Sequence, residues 1–206
     1  EERAALRYKL FPLHPDLPVL IAIGRVNRVK RFDLLLDAVA MINEQGCKVN
    51  CLVVGDGTEL DSLKVKAREL GISKSVYFYG AAYGDEADKL LLSSDICVIP
   101  GDVGLSAMHA HAAGIPVITH DSVERQMPEH EAIIEGKTGS LYEYRSTDSL
   151  ANAVCRWIIN EKEMIASVKW CEEIIGTYYN HNYQSKLILN ALNDEAETKI
   201  KNPPTV

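Results

Sequence analysis

The sequence predicts an α/β domain built on a doubly wound parallel sheet of about six strands, with helices on both faces. Three observations carry this reading. Short apolar runs alternate with amphipathic segments along most of the 206 residues. The runs are β-branched and almost continuously apolar, as parallel strands covered on both faces must be. Several stop at a glycine, or at Pro-Gly, and lead into a helix-like segment, as right-handed β-α crossovers do.

Residues 1–18 open with the charged Glu1-Glu2-Arg3 and read as an approach segment; no apolar signal region follows. The first strand is Val19–Ile23, stopped by Gly24. In Phe32–Gln45 the apolar set Phe32, Leu35, Leu36, Val39 and Ile42 has helical spacing. A second strand, Val49–Val54, ends in Gly55-Asp56-Gly57 before the helix Glu59–Leu70. Strand Val76–Tyr79, helix Asp85–Ser94, strand Ile96–Ile99, helix Leu105–Ala113 and strand Pro116–Thr119 continue the alternation. A weaker sixth strand is read at Ser140–Tyr142. Thr147–Asn160 and Glu161–Tyr178 read as consecutive amphipathic helices. The sheet domain is thus expected over 19–160, C-terminal helices over 161–198, and a frayed tail over 199–206, which holds Pro203-Pro204.

Composition bounds the function. Apolar residues make up 47% and charged residues 25%, as in ordinary soluble domains. No apolar run is long enough to span a bilayer. The five cysteines lie mostly in apolar segments without a Cys-x-x-Cys pair, which favours free thiols in a reducing cytoplasm over disulfides or zinc. A net charge of −7 argues against nucleic acid as the main partner.

Against that acidic background Arg25, Arg28, Lys30 and Arg31 crowd the loop after the first strand. A basic loop at the carboxyl end of such a strand suits an anion, above all a phosphate. Arg25 offers a planar fork of donors and Lys30 a mobile point charge, a pair suited to adjacent phosphates. The alternative is solvated cations, or caps on a carboxylate such as Asp33. Arg28 and Arg31 read as plain surface charge. A second anion signal is Pro100-Gly101-Asp102-Val103-Gly104-Leu105-Ser106, where Gly104 opens an alanine-rich helix whose first N–H groups and dipole can receive an anion. Gly55-x-Gly57 lacks the third glycine of a dinucleotide fingerprint and follows the second strand, so a simple turn supported by Asp56 competes with a cleft-lining role. His109 and His111 lie on different faces of one helix, poor spacing for a metal; one is expected in the cleft and the other in packing. Glu129 and Glu131 divide between a solvated acidic loop and ligand contact.

Taken together, these pieces resemble the retaining GT-B glycosyltransferases of the family 4 type. The matching pieces are Gly24-Arg25-Val-x-x-x-Lys30, Val54-Gly55-Asp56-Gly57, Val76-Tyr-Phe-Tyr-Gly80, Ser94-Asp95-Ile-Cys-Val-Ile-Pro100, Ala112-Ala113-Gly114-Ile115-Pro116-Val117-Ile118 and Glu131-x4-Gly136-x2-Gly139. They occur in the family's order from about Val19 to Trp157. The resemblance implies the Rossmann-like, C-terminal, nucleotide-sugar-binding half of a GT-B fold, whose terminal helices would cross back to an acceptor-binding N-terminal half not present in this sequence. It implies a UDP- or GDP-type sugar as donor, no cofactor and no metal. The acceptor would be a glycan or lipid-linked molecule, in surface polysaccharide assembly, with peripheral membrane association of a full-length cytoplasmic enzyme. The fragment alone would be inactive.

Carried over by motif, Arg25 and Lys30 would hold the donor diphosphate. Gly24, Gly55, Gly104 and Leu105 would present backbone to the donor, and the stretch Tyr79–Tyr83, with Gly80, would border the base. Family members carry two glutamates, one ahead of and one within the helix before Ala-Gly-x-Pro-Val; here those columns hold Gly101 and His109. His109 would reach the ribose, and Asp102 or Glu131 would substitute toward the sugar. Competing expectations are a non-catalytic nucleotide-sugar-binding module, a dinucleotide-dependent oxidoreductase, and a hydrolysing or epimerising relative.

Overall fold

The computed structural model describes residues 1–192. The expected tail at 199–206, and the end of the expected helical stretch 161–198, lie outside the described residues. Six strands form one parallel sheet: β1 (Val19–Ile23), β2 (Asn50–Val54), β3 (Val76–Gly80), β4 (Ile96–Val98), β5 (Val117–His120) and β6 (Gly139–Tyr142), in the order β3-β2-β1-β4-β5-β6. Every pairing is parallel, with Leu20 opposite both Cys51 of β2 and Ile96 of β4. The weak sixth strand is real, and its Gly139 is required: a Cβ there would lie 1.8 Å from the Val117 carbonyl oxygen.

Alternating side chains of β1 feed two cores. Leu20 and Ala22 pack with α2 (Phe32–Glu44), α3 (Leu60–Glu69) and α6 (Thr147–Ile159). Val19 and Ile21 pack with α1 (Glu2–Leu10), α4 (Asp85–Leu92) and α5 (Leu105–Ala112). A parallel sheet buried on both faces needs such apolar strands, and Val19, Leu20, Ile21 and Ala22 are each at most 1% exposed. Two further helices follow, α7 (Glu161–Thr177) and α8 (His181–Leu192).

The approach segment is tied down. Arg3 and Arg7 of α1 both bond the Asp95 carboxylate, which also accepts from the Val19 N–H at the head of β1. Leu10 and Phe11 are buried in the second core. All five cysteines are free thiols, and burial pushes Cys51 and Cys97 up to about 12. Among the described residues, no helix is long and apolar enough to cross a membrane.

Candidate functional site

The strand order reverses between β1 and β4. Crossovers leave these two strands in opposite directions, and the gap at their carboxyl ends is where open α/β sheets bind ligands. The basic loop after β1 and the glycine-rich loop after β4 meet across that gap. Lys30 Nζ donates to the main-chain carbonyl of Asp102 at 2.5 Å. A Cβ on Gly101 would lie 1.9 Å from the Val29 carbonyl oxygen, so the two loops touch only because residue 101 has no side chain. Gly104 is close as well: a Cβ there would sit 3.9 Å from Lys30 Nζ. The ammonium therefore lies beside the start of α5. Gly104 caps that helix without a side-chain bond, and the N–H groups of Leu105 and Ser106 have no acceptor within their own helix.

The turn after β2 completes the frame. Gly55 has φ +146°, and a Cβ there would lie 1.9 Å from the Gly24 carbonyl oxygen. The Gly24 N–H donates to Val54 and the Gly55 N–H to Gly80, stitching the ends of β1, β2 and β3 together. The Asp56 carboxylate accepts from the Gly57 N–H at 2.7 Å, so it supports the turn. Two adjoining hollows, of about 290 and 740 Å³, share Ile23, Gly24, Ala82 and Tyr83 and make one cleft. Arg25 and Gly55 line its first part, and Ser106 and His109 its second.

The electrostatics are uneven. Arg25 is exposed and has no ion pair among the described residues. Burial pushes the Lys30 ammonium below the usual lysine range, while the charges of Asp102 and Glu129 oppose that shift. The two helix histidines divide: His109 is exposed and lines the cleft, whereas His111 is buried, its Nδ1 3.2 Å from the Ile115 carbonyl oxygen. Burial pushes His111 down to about 4. Among the described residues, no group of three or more His, Cys, Asp or Glu is placed to hold a metal ion.

Of the residues singled out from sequence, Gly24, Arg25, Gly55, Tyr83 and His109 line the cleft. Gly80, Lys30 and Gly104 adjoin it through the contacts above, and Leu105 is 68% exposed beside it. Asp102 and Glu131 stand elsewhere. The Asp102 main chain is held by Lys30, and the residue lines a separate hollow. Glu131 is exposed on the 3-10 turn Pro128–Ala132, and its charge acts on Tyr179. The charge of its neighbour Glu129, with that of Asp102, reaches Lys30, and one Glu129 carboxylate oxygen is buried without a partner.

Arg28 and Arg31 both border a hollow. With Arg125, Tyr144 and Arg145 they line that separate hollow, of about 710 Å³. Arg31, not Arg25 or Lys30, pairs with Asp33, at 3.0 Å. The sequence signal for these residues is a cation shortly past β5 and another shortly past β6, at the same rim as the basic loop.

Comparison with known proteins agrees with the fold. The chain is 26% identical over 170 residues to a GDP-mannose-dependent α-(1-6)-phosphatidylinositol monomannoside mannosyltransferase of Mycobacterium tuberculosis, covering 78% of this chain and 42% of that protein. It is 31% identical over 163 residues to a D-inositol 3-phosphate glycosyltransferase of Nocardia farcinica, covering 74% of this chain and 35% of that protein. The chain thus spans well under half the length of these relatives. Among solved structures, Anabaena Alr3699/HepE in complex with UDP superposes with a TM-score of 0.78 at 21% identity, over 94% of this chain and 52% of that one. This likeness places the sheet and helices in the GT-B type of fold. The family model for glycosyl transferases group 1 matches residues 10–169, so the chain belongs to that family.

Proposed function

We propose that this chain is the donor-binding domain of a glycosyltransferase that moves a sugar, with retention, from a UDP- or GDP-type nucleotide sugar to a glycan or lipid-linked acceptor. The observation that carries the reading is the meeting of Lys30 Nζ with the loop that opens α5, at the reversal of strand order and beside the Arg25 cleft. Transfer breaks the bond from the anomeric carbon to the diphosphate oxygen and forms one to an acceptor oxygen. Negative charge gathers on the leaving diphosphate. Arg25, Lys30 and the N–H groups of Leu105 and Ser106 are fixed donors on the side where that charge would develop, and such preorganised donors lower the barrier. Each charge-assisted bond contributes roughly 1.5–3 kcal/mol. Tyr83 would border the base and His109 the ribose. The relative named for its dependence on GDP-mannose, and the neighbour solved with UDP, support this donor class. The reading sets the complete enzyme in the cytoplasm, peripheral to a membrane, in surface polysaccharide assembly.

Thermal stability measured against UDP, GDP and NAD tests it. One nucleoside diphosphate at a hundred times its dissociation constant should add about 2.7 kcal/mol. Arg25→Ala and Lys30→Ala should each weaken that response. Stabilisation by NAD alone would overturn the proposal in favour of an oxidoreductase.

A second reading, a binding module without transfer, is favoured by one observation. Residue 101, the column of the first family glutamate, has no room for a Cβ. With an acceptor-binding half supplied, no turnover on any donor would select the module.

A further inference from the structure

The hollow of about 710 Å³ beyond the Lys30–Asp102 contact shares no lining residue with the nucleotide cleft. It gathers Arg28 and Arg31 from the β1 loop, Arg125 from the β5 loop, and Tyr144 and Arg145 from the β6 loop. Four guanidinium groups around one cavity are unexpected in a chain of net charge −7. Their partners are uneven. Arg31 holds Asp33 through Nε and a terminal nitrogen. Arg28, Arg125 and Arg145 have no carboxylate ion pair among the described residues. Arg125 and Arg145 rest instead on the Tyr144 ring, with Cζ 5.3 and 4.9 Å from its centroid. A ring face positions a guanidinium without neutralising it, so both forks keep their donors for a ligand.

Two observations set this hollow apart from ordinary surface charge. Arg31 (φ +51°) and Arg145 (φ +67°) are the non-glycine residues with positive φ among the described residues, and both line it. Such backbone costs about 1–3 kcal/mol per residue and concentrates at ligand sites. Beneath Tyr144, 4.8 Å between ring centres, lies the fully buried His120, whose Nε2 has no partner.

Three carboxylates also line or edge the cavity: Asp33, already paired, with Glu59 and Asp102. Guanidinium forks take phosphate oxygens, and carboxylates take hydroxyl protons. We propose that this hollow is a second binding site, separate from the nucleotide cleft, for a phosphate monoester on a hydroxylated body: a phosphorylated sugar or polyol, free or as a lipid headgroup. Arg28, Arg125 and Arg145 hold the phosphate, and Glu59 and Asp102 accept from hydroxyls. The site stands whether or not the neighbouring cleft holds a sugar donor.

The test titrates the chain with glucose 6-phosphate, and separately with vesicles of phosphatidylcholine with and without phosphatidylinositol 4-phosphate, each with and without saturating UDP and GDP. Binding should be independent of the nucleotide and should weaken as salt rises. The double variant R125A/R145G, whose glycine accepts the positive φ, should bind the phosphate ester at least tenfold more weakly, with a melting temperature no lower than that of the wild type and an unchanged nucleotide response. R125K/R145K, which keeps charge but loses the forks, should fall between. The soluble arm identifies a free ligand, and the vesicle arm a headgroup. The inference is overturned if neither arm binds, if nucleotide displaces the ester, or if R125A/R145G binds as wild type. Failure of nucleotide to bind while the ester still binds would overturn the donor proposal alone.

Discussion

The cleft beside Arg25 and the hollow beside Tyr144 lie on either side of the contact between Lys30 and Asp102, on the same rim of the sheet, and are built from opposite materials. The cleft is mostly backbone and small side chains, with Gly24, Gly55, Ala82 and Gly84 and a single arginine. The hollow is mostly charged side chains, with four arginines and three acids. Main-chain amides at a helix start can approach a ligand only where side chains are absent, which is why glycines frame the cleft. Guanidinium groups need length and a brace, which Tyr144 supplies to two of them. One strand-order reversal thus presents two recognition surfaces that differ in what a substitution can break.

Gly101→Glu should have the largest effect, because it strikes the partition itself. A side chain there enters the Val29 carbonyl and must push the basic loop aside. We expect a loss of about 3 kcal/mol in urea denaturation, together with loss of nucleotide and ester binding. Full retention of either would show that the partition is not shared.

Acid separates the rim from the core beneath it. His111 titrates near 6.5 when unfolded and near 4 when buried in the fold. Between these values the unfolded chain binds a proton that the native chain refuses, so stability falls as pH drops from about 6.5 to about 4. The loss reaches roughly 3 kcal/mol. Burial lowers His120 and His130 in the same direction. Denaturation midpoints at pH 7.5 and 4.5 should reveal the slope, and His111→Asn should flatten much of it. Equal slopes in the two proteins would remove His111 from the account.

Arg25→Ala sharpens the comparison on one side only. Nucleotide affinity should fall on the order of tenfold or more, about 1.4 kcal/mol per decade, while the unliganded melting temperature stays put. Asp33→Asn should do least. The Arg31–Asp33 pair is partly exposed, and such pairs contribute about 0–1 kcal/mol. A change in urea midpoint above that range would mean that the pair braces the strained Arg31 backbone.

The cleft was legible in the sequence, and the hollow was not, for a physical reason. Gly24, Gly55 and Gly104 mark strand ends locally, because each turn demands its residue within a few positions. The apolar strands were legible for the same reason, including the weak one at Ser140–Tyr142, now bounded as Gly139–Tyr142. The order of strands is a long-range fact, settled by which crossover packs on which face. Arg28, Arg125 and Arg145 are spread over more than half of the chain, and only the pairing of β5 with β6 brings the last two together. Glu131 shows the converse. It follows Pro128 in a promising motif, but a single 3-10 turn leaves Glu129 rather than Glu131 acting on Lys30.

Backbone amide shifts recorded while UDP and GDP are titrated into the chain address the central claim most directly. The donor account expects one nucleotide to move Gly104, Leu105 and Ser106 together with Gly24 to Lys30, in a single saturating step. Shifts confined to other surfaces, or movement of the basic loop with the start of α5 silent, would contradict it.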